Sequence, residues 1–147
     1  MEAVIFCGPQ ASGKSSFYKE HFFATHVRIN LDMLRTRRRE SLLLEACLAG
    51  GQRFVADNTN PCREDRARYM ERAKAAHFSA TGYFFAESPP DCLKRNASRS
   101  GRARIPEKGV GATFARLEPP AWDEGFDRLF TVRIGPGGVF LIVEQTR

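Results

Sequence analysis

An α/β fold is predicted for this chain: a central, mostly parallel sheet of about five strands, with helices on both faces and a hairpin at the C-terminal edge. Three observations predict it. Short apolar, partly β-branched runs alternate with stretches of helical character along the whole sequence, the pattern of βαβ units with right-handed crossovers. The first run, Ala3-Val4-Ile5-Phe6-Cys7, leads directly into a glycine-bracketed turn and then a segment able to open a helix. Two later runs are followed at once by acids, Asp32 and Asp57, at the strand carboxyl ends where open α/β sheets place their ligands.

The turn after the first strand is Gly8-Pro9-Gln10-Ala11-Ser12-Gly13-Lys14-Ser15, a full match to G-x-x-x-x-G-K-[ST] in the strand–loop–helix setting that the pattern requires. Gly8 and Gly13 let the backbone turn tightly, so that successive N–H groups and the positive end of the following helix point at a polyphosphate. Lys14 is expected to reach the β- and γ-phosphates of a nucleoside triphosphate, and the Ser15 hydroxyl to ligate Mg²⁺.

Length and charge bound what this site can belong to. With 147 residues there is room for one domain and its core, residues 1–147, and none for a second catalytic domain. The balance of 23 Lys and Arg against 17 Asp and Glu gives a net charge of +6, which suits a polyanionic partner. Cys7, Cys47, Cys62 and Cys92 are scattered, without C-x-x-C spacing, which argues against zinc and for reduced thiols in a cytoplasmic protein. No signal peptide and no membrane segment is expected, because no apolar run approaches spanning length.

Each further element has its own signature. His26 to Asn30 alternates as a second strand, and Asp32 beyond it reads either as a site residue or as the N-cap of a helix beginning at Met33. Arg35 is one turn on, facing the same way, and heads the basic run Arg35, Arg37, Arg38, Arg39. Ser41 to Leu48 is a helix with a Gly50-Gly51 stop. Arg53 to Asp57 is a third strand, whose terminal acid suits the water shell of Mg²⁺. Pro61 opens a helix through Ala76, with Ala67, Met70, Ala73 and Ala76 as its apolar side. Ser79 to Phe85 is the fourth strand, and Ser88 starts the next helix. The stretch of about residues 95–106 carries Arg95, Arg99, Arg102 and Arg104 among Ser and Gly, a composition suited to a lid that brings arginines to a transferring phosphoryl group. Gly109 to Leu117 is a short helix, Trp122 anchors the next segment, and Leu129–Ile134 with Val139–Val143 flank a Gly-Pro-Gly-Gly turn as the closing hairpin.

Taken together, the residues resemble the 5′-hydroxyl polynucleotide kinase domain of phage and animal end-healing enzymes, within the P-loop kinase group. The likeness runs through Gly8–Ser15, Asn30-Leu31-Asp32, Val55 to Pro61, Arg66-Ala67-Arg68-Tyr69, Lys94-Arg95-Asn96 with Arg99, Ile105-Pro106 and Glu124-Gly125-Phe126. The resemblance implies that Gly8, Pro9, Gln10, Ala11, Ser12, Gly13, Lys14, Ser15 and Ser16 hold ATP, together with the lid residues Arg95 and Arg99. It implies that Asp32 is the general base toward a 5′-OH and that Arg35 holds the phosphate next to the acceptor nucleoside. Lys14 and Arg99 would stabilise the transferring group, while Ser15 and, through water, Asp57 would serve Mg²⁺. By analogy with related kinases, Gly135 to Gly138 is one place for the adenine. The segment Arg99 to Pro106 is a residue longer than in the phage enzyme, which leaves Arg102 and Arg104 without assigned roles. No D-x-D-x-T phosphatase signature is present, so a separate phosphatase or ligase would be a partner. The rival readings are a kinase of the same fold acting on a nucleoside, nucleotide sugar or antibiotic, and an ATP-binding switch without catalysis.

Overall fold

In the computed structural model, residues 1–147 are described, except for the side chain of Arg102. The elements alternate in chain order: β1 (Glu2–Cys7), α1 (Lys14–His21), β2 (Val27–Ile29), α2 (Leu31–Leu34), α3 (Arg37–Gly50), β3 (Phe54–Ala56), α4 (Arg63–Ala75), β4 (Ser79–Phe85), α5 (Pro89–Ala97), α6 (Glu107–Arg116), β5 (Arg128–Ile134) and β6 (Phe140–Glu144). Three short 3₁₀ turns lie at Gly101–Ala103, Trp122–Glu124 and Pro136–Gly138. The sheet has six strands in the order β2-β3-β1-β4-β5-β6, with every pairing parallel except β5 with β6.

β1 is apolar throughout because it is central and covered on both faces. The period of two sends Ala3 and Ile5 into a layer with Leu44 of α3 and with Tyr69, Met70 and Ala73 of α4. Val4 and Phe6 point the other way, into a layer with Phe17, Tyr18, Phe22 and Phe85. The Phe6 ring meets Phe17 and Phe85 edge-on at centroid distances of 5.8 and 5.0 Å, which clamps α1 to the sheet behind the glycine-rich turn.

Two expectations are corrected. The inner face of α4 is formed by Arg66, Tyr69, Met70 and Ala73, whereas Ala76 is exposed. A buried arginine is tolerated there because its fork is matched: Nε and Nη2 donate to Glu124 Oε1 and Oε2 at 2.7 and 3.0 Å, and Nη1 donates to the Asn60 carbonyl at 3.0 Å. The cap of α2 is Asn30, whose Oδ1 accepts the Met33 N–H at 2.9 Å, so Asp32 lies inside the helix and has no capping role.

Candidate functional site

The carboxyl ends of β1, β2 and β3 lie side by side, and the segments that leave them enclose a cavity of about 530 Å³. One wall is the glycine-rich turn with Gln10, Ala11, Lys14 and Ser15, and another is Asn58 to Pro61. Asp32 stands at the cavity with Arg37 nearby, and Arg99, Ala103 and Ile105 line it from the segment between α5 and α6. The size suits a nucleotide-scale ligand.

The turn is built to keep its backbone near a ligand. A Cβ at Gly8 would stand 2.7 Å from Phe85 Cβ, and Gly13 has φ +95. Side chains at these two positions would push the turn off the sheet or strain the start of α1. The Gly8 N–H donates to the Thr59 carbonyl at 2.9 Å, and Asn60 Nδ2 donates to the Phe6 carbonyl at 2.9 Å, which ties the turn to the segment after β3. Lys14 Nζ folds back over the turn and donates to the carbonyls of Gly8 and Pro9 at 2.9 and 2.7 Å. Burial pushes its ammonium down to about 8, with the Asp57 charge acting the other way.

Ser15 and Asp57 meet where α1 begins and β3 ends. Ser15 Oγ donates to Asp57 Oδ2 at 3.4 Å, and the carboxylate is buried. A hydroxyl beside a buried carboxylate is a hard-oxygen pair of the kind that Mg²⁺ selects, so these residues fit the ion. Among the described residues no group of three or more His, Cys, Asp or Glu could hold a metal.

Asp32 is exposed at the cavity, and its surroundings explain why. Asn30 caps the helix and donates through Nδ2 to the Asp57 carbonyl at 2.6 Å, while Asn58 Oδ1 accepts the Leu31 N–H at 2.9 Å. Asn58 is itself held by Glu40 Oε2 at 3.2 Å and by Tyr69 Oη at 2.9 Å. The base of α2 is thus fixed at three points, and the Asp32 carboxylate is left to face outward.

The arginines of the stretch of about residues 95–106 are distributed unequally. Arg99 lines the cavity and donates to the Ala103 carbonyl at 3.2 Å. Arg95 instead reaches the back of the turn, with Nη1 3.4 Å from the Ala11 carbonyl and Nη2 3.5 Å from Glu87. The segment is clasped at its ends by buried Asn96, whose side chain bonds both the carbonyl and, at 2.8 Å, the N–H of Ile105. Arg104 is exposed and outside the cavity lining, and the Arg102 side chain lies outside the described residues.

Of the residues expected at the site, the structure brings Gln10, Ala11, Lys14, Ser15, Asp32 and Arg99 to one cavity, with Asp57 directly behind Ser15. Gly8, Pro9, Ser12 and Gly13 form the buried or half-buried frame of the turn, and Ser16 is exposed on α1. Arg35 is the C-cap of α2, exposed, with φ 75, and does not line the cavity; the basic side chains that do so on the outer side are Arg37 and Arg116. Nor do Gly135 to Gly138 line it; the hairpin meets the turn instead through Ile134 and Phe140, which stand over Gly13. Sequence reasoning missed Asn58 as a fixing residue and Arg28, which stands at Ser15 and Asp57. The polar alternation His26, Arg28, Asn30 against Val27 and Ile29 carried the signal that one face of β2 is not core.

A glycine-rich turn between a central parallel strand and a helix, with a Lys, a Ser and an acid behind it, defines a P-loop domain of the kinase type. Residues 4–120 match the family described as AAA domain, and the chain belongs to that family. It is 28% identical over 138 residues to the "Putative bifunctional polynucleotide phosphatase/kinase" of Acanthamoeba polyphaga mimivirus, covering 89% of this chain and 33% of that protein. It is 25% identical over 129 residues to the "Bifunctional polynucleotide phosphatase/kinase" of Schizosaccharomyces pombe, covering 85% of this chain and 32% of that protein. The chain thus spans about a third of the length of these curated relatives. Kti12 of Chaetomium thermophilum, solved in complex with ADP-AlF3, shares the fold with a TM-score of 0.63 at 15% identity, over 89% of this chain and 88% of that one. Among the described residues no helix is long and apolar enough to cross a membrane.

Proposed function

We propose that this domain transfers the γ-phosphoryl group of ATP to the 5′-hydroxyl end of a nucleic acid. The observation that carries the reading is a cavity with Lys14 and Ser15 at one side and, at the other, an Asp32 carboxylate released from capping by Asn30. Phosphoryl transfer asks for this pairing: cations around the transferring group and a base within reach of an incoming hydroxyl. Asp32 accepts the proton of the 5′-OH as the new P–O bond forms and the bond to the β-phosphate oxygen breaks. Lys14 and Arg99 stabilise the charge on the phosphoryl oxygens and the leaving group. Ser15 and Asp57 would hold Mg²⁺, which supplies Lewis-acid neutralisation of the triphosphate when bound.

The nucleic acid acceptor is supported by the exposed Arg37 and Arg116 on the outer side of the cavity, by Arg35 just beyond α2, and by the phosphatase/kinase relatives. An acceptor that carries its own phosphates gains from such flanking arginines. The test is transfer of labelled γ-phosphate, with Mg²⁺, to a short 5′-OH oligonucleotide against a panel of nucleosides, nucleotide sugars and aminoglycosides. Labelling of the oligonucleotide that disappears in Asp32→Ala, with ATP binding retained, is the expected result. Labelling of a small compound alone would replace the acceptor, and the absence of any transfer would leave an ATP-binding switch.

A further inference from the structure

Arg28 is in the middle of β2, in register with Val55, on the sheet face that α1 covers. Its guanidinium lies 5.9 Å from the centroid of the Tyr18 ring, and the ring is fixed by the Tyr18 hydroxyl, which donates to the His26 carbonyl at 2.6 Å. From there the fork closes on both oxygen groups assigned to the cation. Nε donates to Asp57 Oδ2 at 2.8 Å, and Nη2 donates to Ser15 Oγ at 2.9 Å.

A guanidinium and a divalent ion held on the same two groups would repel each other at contact distance and crowd Asp57 Oδ2 and Ser15 Oγ, so the two compete for the site. We propose that Arg28 is the resident counter-ion of this site: it neutralises Asp57 and holds Ser15 while nucleotide is absent, and yields only to metal that arrives bound to a nucleoside triphosphate. The inference deepens the phosphotransfer reading and rests on it. Free Mg²⁺ gives up water reluctantly and would gain two protein ligands while stripping a part-buried guanidinium of its partners. A metal–triphosphate complex brings its own oxygens, to which the released guanidinium can donate. The Arg28 side chain is 27% exposed, so a rotamer change vacates the site without moving β2. Ordered arrival of the cation with the nucleotide then follows from one side chain.

Binding of Mn²⁺, read by loss of the free-ion electron paramagnetic resonance signal, tests this without any turnover. Nucleotide-free wild-type protein is expected to bind Mn²⁺ weakly, and Arg28→Gln to bind it at least about tenfold more tightly, the scale of one charge-assisted hydrogen bond. The gain should vanish in Arg28→Gln with Asp57→Asn, and the gap between wild type and variant should narrow when a non-hydrolysable ATP analogue is present. Arg28→Lys keeps the charge but not the fork and is expected between the two, which serves if the Gln variant folds poorly. Equal Mn²⁺ affinity in nucleotide-free wild type and variants, with binding alongside the analogue intact, would overturn the role of Arg28 while leaving the phosphotransfer reading standing. Failure of Mn²⁺ to bind with the analogue in any of these proteins would remove the cation site itself, and both readings with it.

Discussion

Replacing Glu124 by Leu is expected to destabilise the domain severely, and the reason lies in what it leaves behind. Arg66 is 0% exposed and Glu124 takes two of its hydrogen bonds; the rest of the guanidinium is held by the Asn60 carbonyl and, at 3.3 Å, by Cys7 Sγ. Removing the carboxylate strands a buried cation, which costs about 3–5 kcal/mol. In a domain near this size each kcal/mol lowers Tm by about 2–4 °C, so a fall on the order of 10 °C is expected by calorimetry, with a matching shift in urea midpoint. Removing both charges with Arg66→Met and Glu124→Leu should recover most of the loss, because no unpaired charge remains. The consequence reaches the site: Arg66 holds the Asn60 carbonyl, and the adjoining Thr59 carbonyl accepts the Gly8 N–H, so the Glu124 variant should also bind ATP more weakly. A Glu124→Leu protein within about 1 kcal/mol of wild type, or a double variant as unstable as the sum of its singles, would refute the reasoning.

Two further outcomes separate positioning from chemistry and probe the buried acids. Asn30→Ala removes both the α2 cap and the bond to the Asp57 carbonyl, so a loss of about 1–3 kcal/mol is expected, with turnover reduced more than ATP affinity; exposed Asp32→Asn should leave the urea midpoint nearly unchanged while abolishing turnover. Burial pushes the thiols of Cys7 and Cys92 up to about 11 and the Tyr69 phenol up to about 12. These groups keep their protons in the fold to higher pH than in the unfolded chain, so their contribution is full below pH 9 and is lost as pH rises through 11 to 12. Tm measured from pH 8 to 11 should fall accordingly, and iodoacetamide at pH 8 should label Cys7 and Cys92 only after unfolding in urea; a flat profile, or labelling at Cys7 or Cys92 rather than at the half-buried Cys62 in the native protein, would contradict the burial.

What could be read in advance depended on whether a residue's role was local. The strands and the glycine-rich turn were legible because their signals, apolar runs and a fixed glycine spacing, are written in consecutive residues. The position of Asp32 at a strand end was legible for the same reason. Its release from capping was written locally too, in Asn30 three residues before Met33, but two cap-forming residues stand so close together that the pattern does not choose between them; the choice is fixed by the bond from Asn30 Nδ2 to the Asp57 carbonyl, 27 residues away. Likewise Arg66, Tyr69 and Glu124 carried the resemblance to end-healing kinases without an evident reason. Their partners show it: Arg66 with Glu124, and Tyr69 Oη donating to Glu40 Oε2 at 2.9 Å beside Asn58. The apolar face of α4 was misjudged by the same cause, since a helix pattern counts an arginine as wet and cannot see the carboxylate that dries it.

The cations of the site have partners before any ligand arrives. Lys14 is bonded to two turn carbonyls, Arg28 to Ser15 and Asp57, Arg95 to Ala11 and Glu87, and Arg99 to the Ala103 carbonyl. Binding is therefore an exchange of hydrogen bonds rather than a first making of them, and each exchange alone contributes little net free energy. A ligand that offers many anionic oxygens replaces several of these partners together, which on the proposed reading favours a triphosphate over a monophosphate. Among the described residues Asp32 makes no side-chain hydrogen bond, so in the proposed role it need not exchange partners to accept a proton from an arriving hydroxyl. On the proposed phosphotransfer reading, the arrangement that favours a polyphosphate donor thus also leaves Asp32 open to the acceptor.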